Sequence, residues 1–389
     1  MRTAPPPLRL VVFALLTILA LSAAPARAQG GGVIVAGTIG TPETDLTPDQ
    51  QQHLLGEYWP IARAYVTGDP AQAIKDMSAW TRDRIGKVQQ IQYQPEGALP
   101  TGLTTKAEWQ PRFLRGAAML HTEIALAAFR ARDGAQFEFH TGIADGWLAL
   151  ADDRKSSPGS LRSRWNVAIT RLLLANGETG LAERYLDRIN ERIPGDPAIL
   201  LVFGTVKETQ ATRQNLPWSN GKPEDPALVT SARDSGLNAA ATLFQRAAAA
   251  DASLVEARLR LARVHLLKRE DAQAEALLTA ILAGQPAPPI KYLASLFLGG
   301  IRERQKQFDP AARLYVEAVL AVPDGQSAYL ALSHLMHAAN HRDDAAAVLD
   351  KMFARRVTQL TADPWWMYPL GLDAALEARF GQLRDEIRK

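Results

Sequence analysis

The sequence predicts an all-α chain, a solenoid of stacked helical hairpins behind an irregular helical front. Three observations carry that prediction. Stretches such as ARLRLARVHLLKREDAQAEALLTAIL (257–282) thread charges through Ala and Leu and break softly near Lys268–Asp271. They read as two short helices, each able to bury its apolar face only against a neighbour. The same arrangement of small and large apolar residues returns at a fixed interval along the chain, which marks a repeat architecture. Finally, the 389 residues include no cysteine, so a large packed core must stabilise the fold in place of disulfides or Cys-ligated zinc.

The elements follow in chain order. Residues 1–28 place Arg2 and Arg9 ahead of an apolar run from Leu10 to Leu21 and end in Ala26-Arg27-Ala28. This is the pattern of a signal peptide cut after Ala28, and the run is shorter than the roughly 20 residues of a membrane span. The mature chain is therefore expected to be periplasmic or secreted, without stable membrane insertion. Arg2, Arg9 and Arg27, with no acidic residue among them, account for the whole formal charge of +3. The remainder is neutral, so no basic field draws it to nucleic acid or anionic lipid. Residues 29–47 are expected to be extended or disordered, and GGVIVAG (31–37) opens no helix, so it is a poor phosphate cradle.

Residues 48–153 are expected to form irregular helical hairpins. A degenerate pair covers 51–82, a linker lies near 85–105, and two longer helices over 107–153 meet at Asp133-Gly134. From 154 to 358 the pattern is regular. Counting 34 positions from Val255 puts Ala262 at position 8, Ala274 at 20, Ile281 at 27 and Pro286 at 32. From Tyr292 the same count gives Leu298 at 7, Gly299 at 8, Ala311 at 20, Tyr315 at 24 and Pro323 at 32. From Gln326 it gives Leu332, Ser333, Ala345 and Leu349 at 7, 8, 20 and 24. Upstream, Ser163 begins a unit with Gly177 at 15, Ala182 at 20 and Pro194 at 32, and Pro197 begins one with Phe203 and Gly204 at 7 and 8. That last unit is interrupted by a polar, Pro-containing stretch, Thr212–Ser235, read as an inserted loop, and resumes with Ala240, Phe244 and Ala247. Small residues at 8 and 20 let two helices cross closely, larger ones at 7 and 24 fill around the crossing, and proline near 32 ends the unit. Residues 359–389 hold Asp363-Pro364-Trp365-Trp366-Met367-Tyr368, whose tryptophan pair is expected to be buried as a staple closing the array, and a final amphipathic stretch expected to cap it.

This register resembles the tetratricopeptide-repeat (TPR) family. The whole layout is similar to a group of exported bacterial TPR proteins with an irregular front and a late DPWW-type motif, a likeness that brings no activity with it. The resemblance implies a right-handed superhelical solenoid with an extended concave face. It implies that Arg164, Arg171, Glu208, Glu256, Arg263, Glu303, Arg304, His334 and His337 line that face. The set is mixed in sign and lacks the Lys/Asn pattern with which TPR domains clamp a C-terminal carboxylate. Trp218, in a polar loop with little core to join, is a further candidate partner contact.

Signatures of catalysis are missing: the chain has no G-x-S-x-G, H-E-x-x-H or G-x-x-x-x-G-K-[ST]. His334, His337 and His341, spaced i, i+3, i+7 and followed by Asp343 and Asp344, have ligand types that suit zinc, although the TPR register makes the first two groove lining. His121 and Glu123, two apart, point away from each other on a helix. His265 reads as a packing residue, and His53 and His140 carry no signal. The expectation is a non-enzymatic protein- or peptide-binding scaffold of the cell envelope, without cofactor or metal. The alternatives are a structural subunit presenting an apolar patch and a metal-dependent hydrolase using the histidine cluster.

Overall fold

The structure is a computed structural model that describes residues 47–82, 111–151, 159–213, 218–219, 222–223, 226–355, 363–370 and 376–388. All but Thr47 belong to one compact unit, Pro48–Lys389. The expectations for residues 1–46 and for the linker near 85–105 lie outside the described residues. The fold is all-α, and a two-residue antiparallel pairing of β1 (Trp218–Ser219) with β2 (Lys222–Pro223) is a local exception.

The front comprises α1 (Pro48–Thr67), α2 (Pro70–Arg82), α3 (Pro111–Arg130) and α4 (Gly134–Ala151). Helix α1 packs on α2 and α3, and α3 packs along α4. Five hairpins follow: α5 (Leu161–Ala175) with α6 (Thr179–Arg192), α7 (Pro197–Arg213) with α8 (Pro226–Ala250), α9 (Val255–Leu267) with α10 (Asp271–Ala283), α11 (Pro288–Arg304) with α12 (Phe308–Ala321), and α13 (Gln326–Ala338) with α14 (Arg342–Ala354). Helices within a hairpin pack on each other, and first helices also touch first helices: α5 on α7, α7 on α9, α9 on α11, α11 on α13. That inner layer makes the array a TPR-like solenoid.

The repeat is visible in backbone conformation as well as in side chains. Gly177, Arg269, Lys306 and Asn340 all occupy position 15 of their units and all have positive φ, between 58° and 80°. In each turn the next N–H reaches back to a carbonyl five residues earlier: Glu178 to Leu173, Glu270 to His265, Gln307 to Arg302 and His341 to Met336, each at 2.9 Å. This Schellman closure satisfies carbonyls at the end of the first helix and turns the chain into the second. Arg132, with φ of 59° and an Asp133-to-Ala128 bond of 2.9 Å, shows that the α3–α4 hairpin uses the same turn.

The small-residue positions are close contacts. A Cβ on Gly299 would lie 2.4 Å from the Tyr315 ring, and one on Gly204 would lie 2.5 Å from Phe244. Ser333 and Ala345, at positions 8 and 20, are joined directly by a 3.0 Å hydrogen bond from the Ser333 hydroxyl to the Ala345 carbonyl.

The insert is shorter than the sequence suggested. Thr212–Ser235 was expected to be a loop, but Pro226–Ser235 forms the first turns of the 25-residue α8. Pro226 at the first helical position presets φ, and the helix meets α7 directly after those turns: a Cβ on Gly236 would sit 3.0 Å from that of Ala211. Arg233 donates to the Leu267 carbonyl at 3.2 Å. Polar composition misread an exposed helix as loop, because its stability comes from the neighbouring helix.

Gly299→Ala is expected to cost roughly 1–3 kcal/mol by overpacking the crossing. Lys306→Gly, where the turn requires a left-handed residue, should be neutral or stabilising by up to about 1 kcal/mol. Urea denaturation of both variants checks the contrast.

Candidate functional site

The inner layer is not bare. The C-terminal residues comprise α15 (Pro364–Met367), a 3₁₀ turn (Tyr368–Leu370) and α16 (Leu376–Arg388). They run back across the first helices in reverse order. Asp363 is buried and accepts from the Ser327 backbone and hydroxyl, both at 2.7 Å, at the start of α13. Its other oxygen accepts from the Trp365 N–H at 2.9 Å and so caps α15. Trp365 meets the edge of Phe297 on α11 and stacks beside Tyr368. The Arg263 guanidinium of α9 lies over Trp365 at 4.5 Å, and that of Arg260 lies over Tyr368 at 4.3 Å. The Tyr368 hydroxyl donates to Glu208 of α7 at 2.8 Å. Helix α16 then packs on α5 and α3, with Arg164 donating to Glu386 at 2.6 Å and Arg384 donating to Glu123. The final helix was expected to cap the last hairpin; it packs instead on the first hairpin of the array and the front. Its Arg384 and Glu386 find opposite charges there, while its Phe380 and Leu383 are buried.

At the centre of this crossing lies Arg260, 0% exposed. Its guanidinium donates to Glu256 at 2.8 Å, to Glu208 at 3.1 Å and to the Tyr368 carbonyl at 2.7 Å. Burial disfavours its charge, but Glu256, Tyr368 and Glu208 together outweigh that and raise its pKa. Burial, then the Glu208 charge, raises the pKa of the Tyr368 phenol, which stays a donor.

Beside this crossing the inner layer leaves a cavity of about 490 Å³. Ser160 caps α5 by accepting from the Ser163 N–H at 3.2 Å, so Arg164, Val167 and Arg171 fall on one face at three- and four-residue spacing. Buried Asp196 caps α7 through the N–H groups of Ala198 and Ile199, at 2.9 and 3.0 Å, and sets Ala198 and Leu201 beside them. Leu254 and Glu256 enter from α9, Pro289 and Ile290 from α11, and Arg379 from α16. The result is an apolar floor with cations at its wall. Burial pushes the Arg171 pKa down; Glu256 opposes this and Arg260 adds to it. Arg379 is likewise pushed down, by burial and then by Arg171, with Glu256 opposing. A larger hollow is lined, among the described residues, by one face of α8 from Ala227 to Asn238.

The sequence candidates separate into five groups. Arg164, Arg171 and Glu256 all line the cavity. Glu208 and Arg263 are covered by Tyr368 and Trp365, so they hold the C-terminal residues instead of lining an open groove. Glu303 accepts from Tyr315 at 2.7 Å and pairs with exposed His334 at 2.9 Å, near exposed His337. Arg304 turns away to Asp271 of α10 at 2.7 Å, because position 13 lies one residue past the inner-face position 12. Trp218 lies in the short β pairing with Pro223 as its partner. His341 lies near Asp344 at 3.7 Å, and among the described residues no group of three or more metal-ligating side chains is gathered. The open end of the aromatic motif is Trp366, 46% exposed, where the sequence reading favoured burial of the pair.

One cluster escaped the sequence reading. His121 of α3 and His140 of α4 are both buried, with their Nδ1 atoms 2.8 Å apart, and His121 Nε2 lies 3.0 Å from the Tyr58 hydroxyl of α1. Their rings stack, Tyr58 stacks on His121, and Trp59 and Trp147 pack against Tyr58. Burial, then the neighbouring His140, holds the pKa of His121 well below its usual range, and burial lowers that of His140 to about 4. Both rings are thus neutral near pH 7, and each contact is satisfied by one proton. A separation of 19 residues with no motif between left no local signal.

No protein-family model matches the sequence, and no curated protein sequence matches it. The fold is that of a TPR-like array of helical hairpins. Solved structures similar to the chain include MamA from Desulfovibrio magneticus RS-1, 18% identical over 52% of this chain and 100% of that one, with a TM-score of 0.38. They also include the human IFIT1 dimer with PPP-AAAA, 12% identical over 79% of this chain and 70% of that one, TM-score 0.38. An IFIT1 monomeric mutant with Gppp-AAAA is 14% identical over the same shares, TM-score 0.40. What this chain binds is therefore read from its own residues.

Glu208→Ala leaves Arg260 under-compensated in the interior and is expected to cost roughly 3 kcal/mol; Tyr368→Phe, losing one bond to a carboxylate, about 1.5 kcal/mol. Urea midpoints measure the cost, and limited proteolysis should show faster cleavage C-terminal to Asp363 in Glu208→Ala. The buried histidines bind protons more readily unfolded than folded, so stability is fully present above about pH 6.5 and falls as pH drops toward 4. For His140 alone the loss is about 3 kcal/mol by pH 4. Urea midpoints taken from pH 7.5 to 4.5 should fall below about pH 6.5, less steeply in His140→Phe.

Proposed function

We propose that this chain is a non-enzymatic binding scaffold whose inner helical face holds a protein or peptide partner, and that it works in the bacterial cell envelope after removal of residues 1–28. The observation that carries the reading is the cavity itself. It combines an apolar floor of Val167, Leu201 and Ile290 with guanidinium groups and one carboxylate at its wall, the composition of a recognition site that fixes orientation with a few polar groups. It lies on the inner layer, the extended surface that solenoids use for ligands. The C-terminal residues, seated beside it, illustrate the chemistry that this face accepts: an aromatic turn stacked under arginines, followed by an amphipathic helix.

A specific observation also favours the structural-subunit alternative. Leu320, Leu330 and Phe353 on the last two hairpins are 73%, 50% and 62% exposed, and exposed apolar side chains of this size suit a subunit contact.

A photo-crosslinking side chain placed at Leu201, at Phe353 or at the exposed control Lys351 separates the readings in envelope extract. The expected outcome is a discrete partner captured from Leu201 and lost on Arg171→Ala, with Lys351 silent. Capture from Phe353 alone would transfer the function to the last hairpins, and equal capture from all three positions would remove the scaffold reading. Fractionation of the expressing cells checks export: an uncleaved cytoplasmic chain would exclude the envelope role.

A further inference from the structure

The last hairpin ends the array with an apolar face. Inside the array each second helix packs on the first helix of the next hairpin: α6 on α7, α8 on α9, α10 on α11 and α12 on α13. On α12 the contact uses positions 21, 24 and 28 of the repeat, Ala312, Tyr315 and Val319. Tyr315 shares a core with Leu332 and Leu335 of α13, and Ala312 packs against it. Val319 packs against a core that includes Ala328, near the start of α13. The same positions on α14 are Ala346, Leu349 and Phe353. Among the described residues no hairpin follows α14. Ala346 is exposed, Leu349 is half-buried where Tyr315 is buried, and Phe353 is 62% exposed where Val319 is half-buried. A hairpin that ends a free-standing array carries a polar outer face. This one presents the face that elsewhere receives a helix.

Charge along that face identifies the occupant. Arg342, Ala346, Leu349 and Phe353 follow one another at steps of four, three and four residues, so they form one stripe on α14 with the spacing of a two-helix seam. Exposed Asp350 borders the stripe three residues before Phe353. The stripe complements itself in one direction. Laid antiparallel on a second α14, Ala346 meets Leu349 of the other copy. Arg342 meets Phe353 of the other copy, with Asp350 in reach of the guanidinium, and the twofold axis repeats that pairing at the far end. A guanidinium over a ring and beside a carboxylate is favourable. A parallel pairing would set Arg342 against Arg342. We propose that α14 is a self-association face that joins two copies of this chain antiparallel through Arg342, Ala346, Leu349 and Phe353. The proposal is independent of the cavity. It commits the exposed Phe353 to a second copy of the chain, and the dimer carries two inner faces. One pair of 13-residue helices falls at the small end of specific interfaces, so the expected dissociation constant is on the order of 10 µM.

Sedimentation velocity tests it on protein purified from cells expressing the full chain, at concentrations from about 1 to 100 µM that bracket this constant. A monomer–dimer equilibrium is expected. Phe353→Glu, at a side chain already mostly in water, should leave the circular dichroism spectrum and urea midpoint unchanged and weaken the dimer at least about tenfold. Arg342→Asp and Asp350→Arg each set like charges at both ends of the seam and should weaken self-association to a similar degree. Mixed one to one, those two variants regain opposite charges at both ends, and their heterodimer should form with about the parent affinity. A general effect on folding, or association through another surface, cannot produce that rescue. A monomer at every concentration, a dimer indifferent to Phe353→Glu, or a mixture no more associated than its components would overturn the proposal. So would a photo-crosslinking side chain at Phe353 that captures a different protein, or residues 356–362 of its own chain, in place of a second copy. If the chain is monomeric while cross-linking from Leu201 still depends on Arg171, the second copy falls and the binding scaffold stands.

Discussion

The Arg260 guanidinium is the point on which the described structure converges. A fully buried cation is tolerated only when it is paired and hydrogen-bonded, and here each guanidinium nitrogen finds an acceptor, from three separate places in the sequence: Glu256 one turn away, Glu208 on the preceding hairpin and the Tyr368 carbonyl near the C-terminus. Removing any one acceptor strands charge in the interior. The network therefore ties the register of two neighbouring hairpins to the path of the C-terminal residues. A purely apolar contact would tolerate slippage; a hydrogen-bonded buried charge does not.

That tie shapes everything on the inner face. In a repeat array each hairpin needs its neighbours to bury its apolar side, and the first helices alone would present a long open surface. Because the C-terminal residues lie across α13, α11, α9, α7, α5 and α3 in turn, the surface is divided. Its middle is filled by Trp365 and Tyr368, its far end is left open at His334 and His337, and its near end is narrowed into the cavity between α5, α7, α9, α11 and α16. The site is composite. Its floor comes from the repeats and one of its cations from the final helix.

The front is stabilised in another way. Its helices bury a hydrogen-bonded Tyr58–His121–His140 chain inside an aromatic cluster, and the low proton affinity of both imidazoles is the cost of their desolvation. Yet the α3–α4 turn has the same left-handed residue and reach-back hydrogen bond as the repeats. The irregularity of this region lies in its helix lengths and its polar core, and the hairpin closure is shared.

Much of the architecture was legible residue by residue. Glycine, alanine and serine at positions 8 and 20 predict close crossings, since only small side chains allow them, and Gly299 against Tyr315 is such a crossing. Residues of that kind act over one hairpin, which is local information. Arg164, Arg171 and Glu256, which the same register assigned to one face, line one cavity in the structure, because position along a helix determines direction. It misplaced Arg304 by a single step, read the polar start of α8 as loop, and took α16 for a cap. Each of those outcomes depends on partners distant in sequence: Asp271, Ala211 and Leu267, Glu123 and the α5 surface. The sequence by itself determined the helical period, the hairpin turns and which residues must be small. The tertiary structure alone decided which inner-face charges are covered, where the cavity opens, and that Arg379 of the final helix joins Arg171 in its lining, because burial and charge pairing between distant segments leave no periodic trace along the chain.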